Sequence, residues 1–83
     1  MKQPLVTATQ LARVLQSARR SADLTQADVA IRLGIGQSRM SELERHPDTI
    51  TVDQLLSLVA ALGLELIIQT RDAASAASST VEW

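Results

Sequence analysis

The sequence predicts a mainly α fold: a bundle of four helices containing a helix-turn-helix, followed by one C-terminal β-strand that pairs across a homodimer. Three observations predict it. Residues 24–45, LTQADVAIRLGIGQSRMSELER, have the pattern of two short helices joined by a tight glycine turn. An apolar residue, a capping residue and a second apolar residue four positions beyond the cap recur four times in the chain. After Gly63 the apolar spacing changes from helical to alternating.

The first repeat, Val6-Thr7 with Leu11, starts a helix at Ala8 that runs to about Ala22. Gln10, three residues after the cap, completes a capping box in which side chains satisfy exposed backbone amides. Leu11, Val14, Leu15 and Ala18 form the inward stripe, and Arg13, Arg19 and Arg20 are expected near solvent. The second repeat, Leu24-Thr25 with Val29, has its capping-box partner at Asp28 and starts a helix at Gln26. Gly34 stops it, since glycine takes the left-handed cap conformation at little steric cost. Ile35 and Gly36 then lead into a third helix that begins at Gln37 and ends near Arg45, before Pro47. Val29, Leu33, Ile35, Met40 and Leu43 point inward at helical spacing, with the small Ala30 where the two helices approach. Gln37, Ser38, Arg39, Ser41 and Glu42 are left facing outward.

The last repeat, Ile50-Thr51 with Leu55 and the partner Gln54, starts a fourth helix from Val52 to Leu62, closed by Gly63. Leu55, Leu56, Leu58, Val59 and Leu62 give it a broad apolar face. Residues 64–70, LELIIQT, then place Leu64, Leu66 and Ile68 on one side and Glu65, Ile67 and Gln69 on the other, as in a strand. A lone strand needs a partner for its backbone groups, and the same strand of a second copy, antiparallel across a two-fold axis, supplies one. A fifth helix is the alternative, because Leu, Glu and Gln are good helix formers. Pairing with Leu5 and Val6 is a further option within one chain. The first domain therefore spans residues 1–70, and the Ala- and Ser-rich residues 71–83 are expected to be a disordered tail.

Composition narrows the function. The core must be aliphatic, as the chain lacks Phe and Tyr and its one Trp is the last residue, Trp83. No apolar run approaches the roughly 20 residues that span a bilayer, so no membrane is expected and the location expected is cytoplasmic. Absent cysteine excludes a disulfide scaffold and a thiolate metal site. His46 is the one histidine, beside Pro47 at a helix end, and no cluster has metal-ligand or nucleophile spacing. Neither a cofactor, a metal nor an enzymatic activity is expected. The net charge of −1 divides unevenly: residues 1–47 carry seven basic and four acidic groups, and residues 48–83 one basic and five acidic. The basic half coincides with the helix-turn-helix, as a nucleic-acid partner requires.

An exposed helix whose first turn carries amide, hydroxyl and guanidinium groups suits base edges in a major groove. Gln37, Ser38, Arg39 and Glu42 are the candidate base readers, Gln37 able to pair both amide atoms with adenine. Glu42 has an equally good alternative role as a surface carboxylate paired with Arg39 or Arg45. Gln26, Ser41, Arg32 and Arg45 are the candidate phosphate contacts. Leu64, Leu66, Ile67 and Ile68 are the candidate dimer strand. Trp83 is either incidental or an aromatic anchor for a partner protein.

With these residues in place the chain resembles the Cro/Xre family of phage-repressor-like DNA-binding domains, whose fold is the lambda-repressor-like helix bundle. The resemblance rests on Gln26 and Gln37 at the first positions of both helices, on Ala30 and Gly34, and on apolar residues at 29, 33, 35, 40 and 43. It covers roughly residues 8–62, and Gly36 stands where the family usually has a capping serine. In that family the two glutamines often cooperate, one on phosphate and one on a base. More narrowly, the length, the helices followed by a strand, Pro47 and the closing Glu82-Trp83 are similar to the HipB antitoxins. That resemblance implies a dimeric repressor of its own operon that binds palindromic operator DNA. It further implies a HipA-like Ser/Thr kinase toxin as partner, with Trp83 docking into it, and nucleoid association when DNA is bound. A stand-alone phage-type repressor without a toxin partner is the alternative.

Overall fold

The computed structural model describes residues 2–71. Its elements are α1 (Ala8–Ser21), α2 (Gln26–Leu33), α3 (Gln37–Arg45), a 3-10 turn (Pro47–Thr49) and α4 (Val52–Ala61). All four helices begin where the repeats predict, three of them with a capping box. The hydroxyls of Thr7, Thr25 and Thr51 accept from the amides of Gln10, Asp28 and Gln54, whose side chains accept in return from the cap residues' own amides. Each box satisfies two donors that a helix start would otherwise leave to water. The fourth start, at Gly36, has no side-chain cap.

Three of the helices also end alike. Asp23, Gly34 and Gly63 each follow the last turn with positive φ. The next residue's amide reaches back to a carbonyl five residues earlier: Leu24 to Arg19 at 3.0 Å, Ile35 to Ala30 at 3.0 Å and Leu64 to Val59 at 2.9 Å. This closure turns the chain sharply while keeping the terminal carbonyls bonded. Asp23 does so without being glycine, as short polar side chains can. The 3-10 turn was not expected from the sequence; Pro47 opens it, and the amide of Thr49 and its hydroxyl both donate to the His46 carbonyl.

Leu15, Val29, Ala30, Met40, Leu43, Leu58 and Leu62 form the buried core, flanked by Leu11, Ala18, Leu24, Leu33, Ile35, Ile50 and Leu64. The helix α2 sits centrally against α3 and α4, and α1 lies against α3 and the 3-10 turn. Two expectations need correction. Leu56, assigned to the buried face of α4, is 49% exposed, because the apolar perimeter of α4 is wider than what its neighbour α2 covers. Arg19, expected near solvent, is buried; it lies one turn after Leu15 on the inward stripe and finds a carboxylate there.

Residues 64–70 form neither a helix nor a β ladder among the described residues. A fifth helix is thereby set aside, as is pairing with Leu5 and Val6. The expected strand is absent for a physical reason: a strand is defined by a ladder to another strand, and the described residues supply none. Residues 72–83, with Trp83 and most of the expected tail, lie outside the described residues.

Candidate nucleic-acid interface

The short link at Ile35 and Gly36 joins the carboxyl end of α2 to the amino end of α3. Gly34 makes it possible: its φ is +71°, although a Cβ there would meet nothing within 4 Å. Conformation, rather than space, calls for glycine at this position. At the junction the Gln37 Nε2 donates to Gln26 Oε1 at 3.1 Å. The two glutamines picked out from the sequence as base and phosphate contacts thus meet directly.

Behind them runs a polar chain that the sequence reading missed. Gln26 Nε2 donates to Glu44 Oε1 at 2.9 Å, and Gln16 Nε2 to the same oxygen at 3.4 Å. Arg19 clamps the carboxylate with Nε to Oε2 at 2.6 Å and Nη2 to Oε1 at 3.2 Å, while Nη1 donates to the Leu24 carbonyl at 3.0 Å. The Arg19 and Glu44 side chains are only 10% and 4% exposed. Such a fork-to-carboxylate pair is both directional and charge-assisted. Burial by itself would raise the Glu44 pKa, but the hydrogen bonds from Arg19, Gln26 and Gln16 and the Arg19 charge outweigh it and hold the carboxyl below its ordinary range. A signal was present in the sequence. Glu44 follows the buried Met40 by four residues, and Arg19 follows the buried Leu15 by four, so two opposite charges occupy inward positions.

The other candidates divide into two groups. Gln37 and Ser38 are exposed at the amino end of α3. Arg39 and Glu42, one turn apart, form an ion pair at 2.9 Å with side chains 36% and 49% exposed. Ser41, expected to face outward, is half-buried, since it lies on the flank between the exposed face and the Met40 stripe. Arg32 and Arg45 are exposed but lie at the far ends of their helices, about 9 Å and 12 Å along the axes from Gln26 and Gln37 at 1.5 Å per residue. Arg32 is turned to α4, donating to the Ala61 carbonyl at 2.9 Å. Leu66, Ile67 and Ile68 are 40%, 49% and 85% exposed, and Leu64 packs on the core.

At the amino end of α2, Asp28 is held below the ordinary aspartate range by the backbone and hydroxyl hydrogen bonds of Thr25. A shallow open groove leads from Arg20 past Thr25 to Gln26 and Gln37, offering amides and a guanidinium along one path. Among the described residues no helix is long and apolar enough to cross a membrane, and no three His, Cys, Asp or Glu gather as a metal set.

Residues 2–71 match a family described as a helix-turn-helix domain. The chain belongs to that family. This helix-turn-helix protein is 29% identical over 84 residues to Antitoxin HipB of Escherichia coli, an alignment covering 98% of this chain and 96% of that protein. It is 27% identical over 84 residues to Antitoxin HipB of a second Escherichia coli strain, covering 98% and 89%. Among solved structures it resembles a chain of a HipA-HipB-O2-O3 complex, with a TM-score of 0.78 at 27% identity, over 86% of this chain and 100% of that one. A chain of a HipB-O4 20mer complex matches with a TM-score of 0.77, 27% identity and the same coverage.

Proposed function

We propose that this chain is a homodimeric, sequence-specific DNA-binding repressor that acts as the antitoxin of a HipA-like toxin kinase and autoregulates its operon. The observation that carries this is the contact of Gln26 with Gln37 at the exposed junction of α2 and α3. In the proposed complex Gln37, with Ser38 and the Arg39–Glu42 pair beside it, reads base edges in the major groove. Gln26 and Ser41 contact phosphates, joined by Arg45 and, once released from Ala61, by Arg32. The likeness to HipB, which has been solved with HipA and O2-O3, supports the operator and toxin halves of the proposal. The protein would work in the cytoplasm, on the nucleoid.

The dimer is proposed to form through residues 64–70, paired antiparallel across a two-fold axis so that Leu64, Leu66, Ile67 and Ile68 meet their copies. Their exposure in the single chain supports this. Two recognition helices roughly 34 Å apart would then read successive major grooves of a palindrome. Residues 71–83 are proposed as a tail that ends in a toxin contact at Trp83.

The decisive measurement is fluorescence anisotropy with promoter DNA from the protein's own operon against a scrambled duplex of equal length. Preferential binding that weakens steeply with salt is expected, and equal affinity for both duplexes refutes the repressor. Replacement Gln37→Ala is expected to cost about 1–3 kcal/mol of sequence discrimination. Co-expression with a HipA-like kinase encoded beside it tests the antitoxin role: co-purification that weakens when Trp83 is removed is expected. A missing neighbour or no association leaves a stand-alone repressor.

A further inference from the structure

We propose that Glu44 is a positioning residue for base readout: through Gln26 it fixes which way round the Gln37 amide faces the groove, and so favours adenine over guanine. This rests on the DNA-binding function proposed above and specifies how its recognition helix discriminates.

The inference follows from hydrogen-bond polarity. An ionised carboxylate only accepts, and the four contacts to Glu44 are all donors, two from Arg19 and one each from Gln26 and Gln16. Gln26 must therefore present its NH2 group to Glu44. Its oxygen is thereby turned toward Gln37, whose Nε2 donates to it at 3.1 Å. Gln37 is left with a free Oε1 and one remaining N–H. Adenine offers a complementary N6 donor and N7 acceptor in the major groove, whereas guanine offers two acceptors, O6 and N7, and would set oxygen against oxygen. An isolated glutamine amide can turn end over end and suit either base. Here the turn would break the chain back to a carboxylate that is 4% exposed and clamped by a buried guanidinium. Gln26 keeps its second N–H for a phosphate, so no N–H of either glutamine is asked to serve two partners.

The test is selection from a pool of random duplex DNA, followed by sequencing, with the full chain and three variants. Wild type is expected to enrich a motif, and Gln37→Ala to erase the preference at one position, which locates the contact. At that position the adenine preference of roughly tenfold or more is expected to fall to within about twofold in both Glu44→Gln and Gln26→Ala, while the other positions keep theirs. Gln26→Ala leaves the Arg19–Glu44 pair intact and tests the Gln26–Gln37 link alone; where Glu44→Gln fails to fold, the double variant Arg19→Met with Glu44→Leu removes the same acceptor without stranding a charge, and it is expected to lose the adenine preference to the same extent. Lower affinity at every position with the adenine preference kept overturns the role of Glu44, as does a motif that Gln37→Ala leaves unchanged. No motif from the wild type instead overturns the DNA-binding function itself.

Discussion

Replacement of Glu44 by alanine removes the acceptor for two Arg19 hydrogen bonds and for one each from Gln26 and Gln16. Stranding one member of a buried ion pair typically costs 3–5 kcal/mol, because the remaining charge stays out of water. Arg19 retains its bond to the Leu24 carbonyl and a side-chain exposure of 10%, which places the cost near the lower bound, about 3 kcal/mol. Domains of this size have roughly 4–10 kcal/mol in total, so the variant would fold but marginally. With a urea slope of about 1 kcal/mol/M, the midpoint is expected to fall by about 3 M at fixed protein concentration, followed by helical circular dichroism. The double variant Arg19→Met with Glu44→Leu removes both charges at once and is expected to recover most of the loss. A loss below about 1 kcal/mol for Glu44→Ala would place the pair with ordinary surface ion pairs and refute its burial.

The same carboxylate contributes to the acid limit. Its folded pKa lies below the ordinary glutamate value of 4.5, so it adds stability above the unfolded value that is lost as pH falls through the folded one. Stability is therefore expected to drop below 4.5, with a shallower fall in Glu44→Ala as measured by urea midpoints against pH; equal slopes refute the linkage. Gly34→Ala forces a side chain into φ +71° and is expected to cost about 1 kcal/mol through strain alone, checked by thermal unfolding, a stabilised variant being the contrary result. Ile67→Lys with Ile68→Lys is expected to yield monomers in sedimentation while leaving the helical signal intact; a retained dimer mass rules out pairing through residues 64–70.

What could be foreseen depended on distance along the chain. A capping box is complete within four residues, and Thr7, Thr25 and Thr51 all behave as their sequences demand. Gly34 is equally local, and it takes the left-handed conformation that its place at the helix end predicts. The Arg19–Glu44 pair spans 25 residues, and in a list of charges neither member differs from its exposed neighbours Arg20 and Arg45. Only the buried residues four positions earlier give them away. Leu56 shows the opposite error: it is an apolar residue on a helix whose apolar perimeter is wider than α2 covers, and it is 49% exposed. For residues 64–70 the limit lies elsewhere, since the proposed pairing needs a second copy and the described residues of one chain form no ladder.

The chain from Arg19 through Glu44 and Gln26 to Gln37 also has a cost in freedom. Arginine, glutamate and glutamine each lose up to about 1.5–2 kcal/mol of rotamer entropy when a single conformation is imposed. Here that ordering takes place when the domain folds, in the absence of any ligand. Two side chains at the exposed junction therefore meet a partner already immobilised, and association is spared the penalty that flexible contacts incur at the moment of binding.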